Sequence, residues 1–216
     1  MADSAVESLT ELTTPDTGGG DRMHIVDDPT GTPVSKYITT RNLMKNTLTQ
    51  DDWIGAKDFI IPTTAGVTDI TQSESTTNKV NYKGANFDTT TEENIQFEWV
   101  PNRKWDAGTV TAIFYWDNTG GASAETVDWG IKGVAIGNDG AVDSAFGSEI
   151  TTTDTWLAQN DIHISEESAA VTIAGASIAD YCVFNVARKT ATDDMVGDAR
   201  LIGVRLIYTI TDLGTS

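Results

Sequence analysis

The sequence predicts a mostly β protein: an extended N-terminal arm followed by an antiparallel β-sandwich with a jelly-roll-like path. Three observations point there. Apolar and polar residues alternate with a period of two from Asn94 onward, as in Ile95, Phe97 and Trp99 against Gln96 and Glu98. No long stretch of helical period separates these runs, which disfavours a parallel sheet built from βαβ units. Hydrophobic residues make up only 39% of the 216-residue chain, which fits sheets whose outer faces and connections are polar. No fixed internal period is visible, so a propeller or β-helix is not expected.

The elements follow in order. Residues 1–20 are polar and end in Gly18-Gly19-Gly20, the composition of a flexible arm. In residues 21–52, Arg22 to Asp27 reads as a short strand, Asp28-Pro29-Thr30-Gly31 as a turn, and Lys36 to Thr39 as a second strand. Thr39 or Thr40 then caps a short helix from Arg41 to Leu48. Two short strands and two helical turns are too little to fold alone. This segment is expected to lean on the rest of the chain, on a copy of itself or on another protein.

The sandwich is expected over residues 53–216. Lys57 to Ile61 reads as a strand stopped by Pro62, and weak strands follow near Val67–Ile70 and Lys79–Tyr82. The run Thr109–Trp116 alternates, as do Val127, Trp129 and Ile131. The phase slips near Lys132-Gly133, which suggests a bulge. Thr153 to Leu157 reads as a short helical turn capped by Thr153 or Asp154. Ile162–Ile164, Ala170–Ile173, Tyr181–Arg188 and Ala199–Ile210 complete the strands. In the last of these Ile202, Val204, Leu206, Tyr208 and Ile210 are expected on one face, with Leu201, Arg205 and Thr209 on the other.

Charge narrows the partners. With 32 acidic and 14 basic residues the net charge is −18. Nucleic acid and anionic membranes are therefore not expected as partners, because both require clustered Lys and Arg. The single cysteine, Cys182, lies in the apolar run Tyr181 to Phe184 and reads as a small core residue. Residues 1–12 hold no apolar run of seven, so no secretory leader is expected and assembly in a cytoplasm is.

Residues Asp21 to Gly31, then Lys36-Tyr37-Ile38-Thr39 and Asn42-Leu43, resemble a segment recurrent in tailed-bacteriophage structural proteins. There a short strand ending in Asp leads through a polar turn to a Lys-x-Ile-Thr strand and an Asn-Leu pair. The resemblance implies a virion protein, a tail fibre or other surface appendage, that attaches to the particle through residues 1–52 and exposes its C-terminal part. Ile25, Val26, Asp27, Lys36, Ile38, Thr39, Asn42 and Leu43 would then serve attachment and assembly. It also implies a homotrimer, with the virion as location. The sequence lacks the repeated shaft of a long fibre, which leaves a capsid decoration or head-fibre protein as the alternative.

Catalytic chemistry finds no foothold. His24 and His163 are each flanked by apolar residues and read as structural. Gly175-Ala176-Ser177-Ile178-Ala179 and Gly121-Ala122-Ser123-Ala124-Glu125 both lack the final glycine of a nucleophile elbow. No phosphate-binding glycine motif occurs, and one Cys with two distant His does not make a zinc site. Gly137-Asn138-Asp139-Gly140, with Asp143 and Glu149 beyond, misses the calcium-loop spacing. Asp193, Asp194 and Asp198 read as a solvated turn. No enzyme activity, cofactor or metal is expected. A glycan-binding, receptor-recognition role is the further alternative. Its expected contacts are Trp105 with Arg103 and Lys104, since Trp105 sits between Pro101-Asn102-Arg103-Lys104 and Asp106-Ala107-Gly108.

Overall fold

The structure, a computed structural model, describes residues 22–27, 34–39, 48–118, 120–122 and 124–210. The chain divides into two units, and residues 49–211 form the larger one. In the smaller, β1 (Arg22–Asp27) and β2 (Val34–Thr39) pair antiparallel, from Arg22 opposite Thr39 to Asp27 opposite Val34. That is the strand pair the sequence predicts. The arm 1–20 and the expected helix up to Asn46 and Thr47 lie outside the described residues.

The larger unit is a β-sandwich. Its strands are β3 (Thr49–Gly55), β4 (Phe59–Ile60), β5 (Ile70–Glu74), β6 (Asn81–Phe87), β7 (Asn94–Trp99) and β8 (Trp105–Asn118). They continue with β9 (Thr126–Ile136), β10 (Ile150–Thr155), β11 (His163–Ile164), β12 (Ile173–Ala174), β13 (Tyr181–Arg188) and β14 (Ala199–Ile210). One sheet runs β10-β9-β13-β7-β4, with β12 added to β9. The other runs β11-β8-β14-β6-β5, with β3 added to β14. All pairings are antiparallel except β12 with β9. Strands β6 to β9 cross from sheet to sheet in turn, as a jelly-roll-like path requires. β3 straddles the boundary expected at residues 52 and 53, and pairs with β14 from Gly55 opposite Gly203 to Thr49 opposite Thr209.

The period-two runs do what their pattern dictates. Phe97 and Trp99 on β7, Phe114 and Trp116 on β8 and Trp129 on β9 all turn inward and are buried. Their rings bridge the two sheets. Trp99 meets Trp105 and Tyr208 edge-on, each at 5.3 Å between ring centres, and Trp129 meets Phe87 at 5.2 Å. Such edge-to-face pairs add about 0.5–1.5 kcal/mol each beyond the burial of their area. Cys182 is fully buried, and that burial pushes its thiol up to about 12. It is an inert core residue, as its apolar neighbours indicate.

Four sequence expectations are corrected. Thr153 to Leu157 is not helical: residues 150–155 form β10, paired in unbroken register with β9. The would-be caps work across strands instead. The Thr153 hydroxyl donates to Asp128, and Asp154 accepts from the Trp116 indole at 2.7 Å. Three successive β-branched threonines favour that extended backbone. Second, β9 pairs with β13 without a bulge at Gly133. The phase slips there because β9 is covered on both sides, with Phe184 and Ile173 against Gly133. Third, the bulge lies on β14, where Ile202 and Gly203 together oppose Tyr115. It carries Leu201 into the core beside Val204 and Leu206, and turns Ile202 outward. Fourth, Ala170–Ile173 shrinks to a bridge at Val171 and the two-residue β12.

Two polar clusters fasten the loops. Arg188 at the end of β13 is fully buried and pairs with Asp193 at 2.7 Å. It also donates to the carbonyls of Met195 at 2.7 Å and Gly197 at 2.8 Å. After β6, the Asp88 carboxylate accepts from the backbone of Thr90 and Thr91 and from the Thr90 hydroxyl, each at 2.7 Å. These bonds, the hydroxyl of Thr90 first, pull Asp88 down to about 2 from 3.8. A carboxylate depressed in the fold stabilises above its unfolded value, and that contribution disappears as pH falls through the folded one. The turn at 88–91 should therefore stay protected at pH 4 and loosen as pH approaches 2. Amide exchange of Thr90 and Thr91 measures this, and an Asp88 that titrates at its ordinary value would refute it.

Candidate functional site

The outer face of the second sheet carries a groove of about 930 Å³. That is near the top of the ~300–1,000 Å³ range of small-molecule sites. Its apolar wall is Trp53 of β3, Tyr115 of β8, Ile202 of β14, and Ile162 and Val80 from loops. Its polar wall is Ser73, Glu74, Ser75, Thr76 and Tyr82 around β5 and β6, with Asn160. Arg200 and Arg205 of β14 complete it.

Two glycines seat the principal side chains. A Cβ on Gly203 would fall 2.3 Å from the Trp53 ring, so the indole occupies the space a side chain would take. Trp53 is nevertheless 49% exposed. It stands edge-on to Tyr115, with ring centres 4.9 Å apart and planes at 88°. On the other side, a Cβ on Gly84 would fall 2.3 Å from the Arg200 stem. The β14 bulge sets Arg200, Ile202 and Arg205 on this outer face together, a use of bulges common beside binding sites.

Beneath the groove lies Asp117, fully buried. It accepts from Arg200 Nε at 2.7 Å, from Arg200 Nη2 at 2.5 Å and from the Tyr82 hydroxyl at 2.6 Å. Arg200 also donates to Ser73 and Tyr82 and lies 5.1 Å over the Tyr82 ring. Burial, and then the bond to Asp117, hold the Tyr82 hydroxyl above its usual range. It remains a neutral donor at every physiological pH. Both arms of the network are thus fixed before any ligand arrives.

The structure places the sequence-predicted contacts elsewhere. Trp105 opens β8 and is wholly buried, packed on Trp99. It cannot meet a ligand at the surface. The short turn before it is closed by the bond from Trp105 N to Asn102 O, and the ring swings inward as the first core residue of the strand. Arg103 and Lys104 are exposed on that turn and do not line the groove. The residues expected to serve attachment, Ile25, Val26, Asp27, Lys36, Ile38 and Thr39, lie in β1 and β2, with Ile25 opposite Lys36 and Met23 opposite Ile38. Asn42 and Leu43 lie outside the described residues.

His163 is buried against Trp116, ring centres 4.5 Å apart, and its buried Nε2 makes no hydrogen bond among the described residues. Asp193 pairs with Arg188, Asp194 accepts from Thr126 and Asp198 from Thr89. Among the described residues no group of three His, Cys, Asp or Glu is placed to hold a metal ion. No helix of the described residues is long and apolar enough to cross a membrane.

No protein-family model matches the chain, and no curated protein sequence matches it. Among solved structures it is similar to a carbohydrate-binding module, CBM28, specific for non-crystalline cellulose. Identity is 15% and the TM-score 0.41, over 69% of this chain and 87% of that one. It is also similar to a protein of unknown function from Shewanella oneidensis, at 11% identity and TM-score 0.31, over 83% and 98% of the two chains. A third likeness is to β-sandwich carbohydrate-binding modules of promiscuous specificity, at 9% identity and TM-score 0.29, over 88% and 74%. Likeness at this level carries no assignment of ligand.

Proposed function

We propose that the chain is a non-enzymatic glycan-binding subunit displayed on a tailed-phage virion. The observation that carries the binding reading is the half-exposed Trp53, seated over Gly203 and edge-on to Tyr115 in a groove lined by hydroxyls and guanidiniums. A sugar ring presents an apolar C–H face and a rim of hydroxyls. An exposed indole beside fixed donors and acceptors answers both at once. Because Trp53 is already held in place, little side-chain entropy is lost when it is covered.

The groove favours binding over hydrolysis. Glycosidases need two working carboxyl groups about 5–10 Å apart. Here Asp117 is taken up by Arg200 and Tyr82, and Glu74 pairs with Lys79 at 3.3 Å. Trp53→Ala should weaken glycan binding at least about tenfold, or about 1.4 kcal/mol. Trp105→Leu, in the core, should change stability and leave affinity alone. A glycan array followed by calorimetry on both variants tests this. No binding by the parent chain, or equal binding by Trp53→Ala, would overturn it. Reducing ends released from bound polysaccharide would overturn the non-enzymatic part.

The virion reading rests on a different observation, the resemblance of residues 21–43, part of which forms the β1–β2 hairpin. Residues 1–52 would attach to other virion proteins and hold three copies together, leaving the sandwich outward. Light scattering of the full chain should then give a trimer, and a chain lacking residues 1–47, which keeps β3 whole, should neither trimerise nor enter particles. A monomeric full chain would count against it.

A further inference from the structure

We infer that the groove selects acidic oligosaccharides, with Arg205 reading a carboxylate on a sugar that stacks against Trp53. This rests on the glycan-binding reading above and sharpens it. The groove holds two guanidiniums, and their situations differ. Arg200 spends its donors within the protein, on Asp117, Ser73 and Tyr82. Arg205 makes no hydrogen bond among the described residues, its buried Nε included. Its nearest anion is Asp51, at 3.4 Å from Nε, and the two side chains are 42% and 54% exposed. An exposed pair of this kind contributes little and yields readily to a competing anion.

Position supports the assignment. Arg205 lies directly opposite Trp53 across the β3–β14 pairing. Its guanidinium carbon lies over the Tyr115 ring, 5.6 Å from the ring centre, and that ring is itself edge-on to Trp53. The Arg205 terminal N–H groups make no hydrogen bond among the described residues. A planar, fixed pair of donors matches a carboxylate bidentately. A pyranose lying on the indole would bring an exocyclic carboxylate to that fork. The net charge sets the obstacle that such a site must overcome. A chain of net charge −18 repels acidic glycans at long range. Recognition of one therefore requires, beside the stacking surface, a local cation whose own ion pair is exposed and can yield. Arg205 is that cation, since Asp117 already neutralises Arg200.

The experiment uses the full chain in calorimetric titrations with oligogalacturonides and oligoglucuronides, and with the same oligosaccharides after reduction of their carboxyl groups to alcohols. The acidic forms should bind about tenfold or more tightly than the reduced forms. Arg205→Gln should abolish that preference, read as the ratio of acidic to reduced affinities within the variant. Arg205→Lys should restore part of it, because an ammonium supplies charge without the planar fork. Trp53→Ala should weaken both forms alike. Equal affinity for acidic and reduced forms in the parent chain, or a preference that survives Arg205→Gln, overturns the inference and leaves the glycan-binding reading intact. Failure of every form to bind removes both.

Discussion

Replacing Arg188 with methionine should lower the free energy of unfolding by about 3–5 kcal/mol, the usual result of removing one partner of a buried ion pair. The side chain is fully buried and Asp193 beside it is 2% exposed. Methionine would fill much of the volume but leave that carboxylate and the Gly197 carbonyl without their donor, and the Met195 carbonyl with the Thr89 hydroxyl alone. Each stranded group carries its own desolvation cost. Arg188 is also the point where β13 holds the loop that leads into β14, so loss should propagate to the start of the groove strand. Urea unfolding followed by tryptophan fluorescence measures the change, with an unaltered slope marking an effect on stability alone. The double variant Arg188→Met, Asp193→Asn should lose less than the sum of the single changes, because the stranded charge goes with its partner. A cost below about 1 kcal/mol for the single variant would mean that the loop does not hang on this pair.

What the sequence disclosed, and what it hid, follows from the range over which each feature is built. Strands such as β7, β8 and β14 were legible because one buried face imposes a period of two within a few residues. β10 was not, because Thr153 and Asp154 are as apt for a helix cap as for a cross-strand bond, and only β9 decides between them. Trp105 misled for the opposite reason. Its neighbours are polar and turn-forming, yet the strand starts at the tryptophan itself, and the ring is the first to enter the core. The groove was the least legible feature. It draws on β3, β5, β6, β8, β14 and the residues around Asn160, so its lining comes from segments far apart in sequence.

Even so, the sequence held a signal. Trp53 is an aromatic in the exposed phase of Thr49–Gly55, and Gly84 and Gly203 interrupt strands otherwise rich in side chains. A glycine inside a strand often marks close approach of another group. Here each makes room for one half of the binding face. The β14 bulge could not be read, because Ile202 continues the apolar alternation whether or not an extra residue is present. One residue of shift moves Leu201 inward and Ile202 outward, and with it fixes which apolar side chains line the groove.

Asp117→Ala should prove nearly as destabilising as the loss of Arg188, and should also dismantle the groove. The buried carboxylate is the sole anion that Arg200 meets at hydrogen-bond distance among the described residues. Arg200 itself is only 13% exposed in its side chain. Removing Asp117 leaves a largely buried guanidinium uncompensated, which costs about 3–5 kcal/mol. It also releases the Tyr82 hydroxyl, so the polar wall loses its fixed geometry on both sides of Gly84. Asp117→Asn is the sharper probe. It keeps the volume but supplies one acceptor oxygen and no charge to donors that now share two oxygens. Its stability should fall by less than that of the alanine variant, while glycan affinity falls with it as the wall loosens. Asp117→Leu combined with Arg200→Met should recover much of the stability, since an apolar pair of similar volume replaces a buried ion pair at little loss. It should not recover binding, because the hydrogen-bonded wall is gone. Stability and affinity that rise and fall together across these three variants would show that the network serves the fold alone. Their separation in the double variant is what a wall pre-set for a ligand requires.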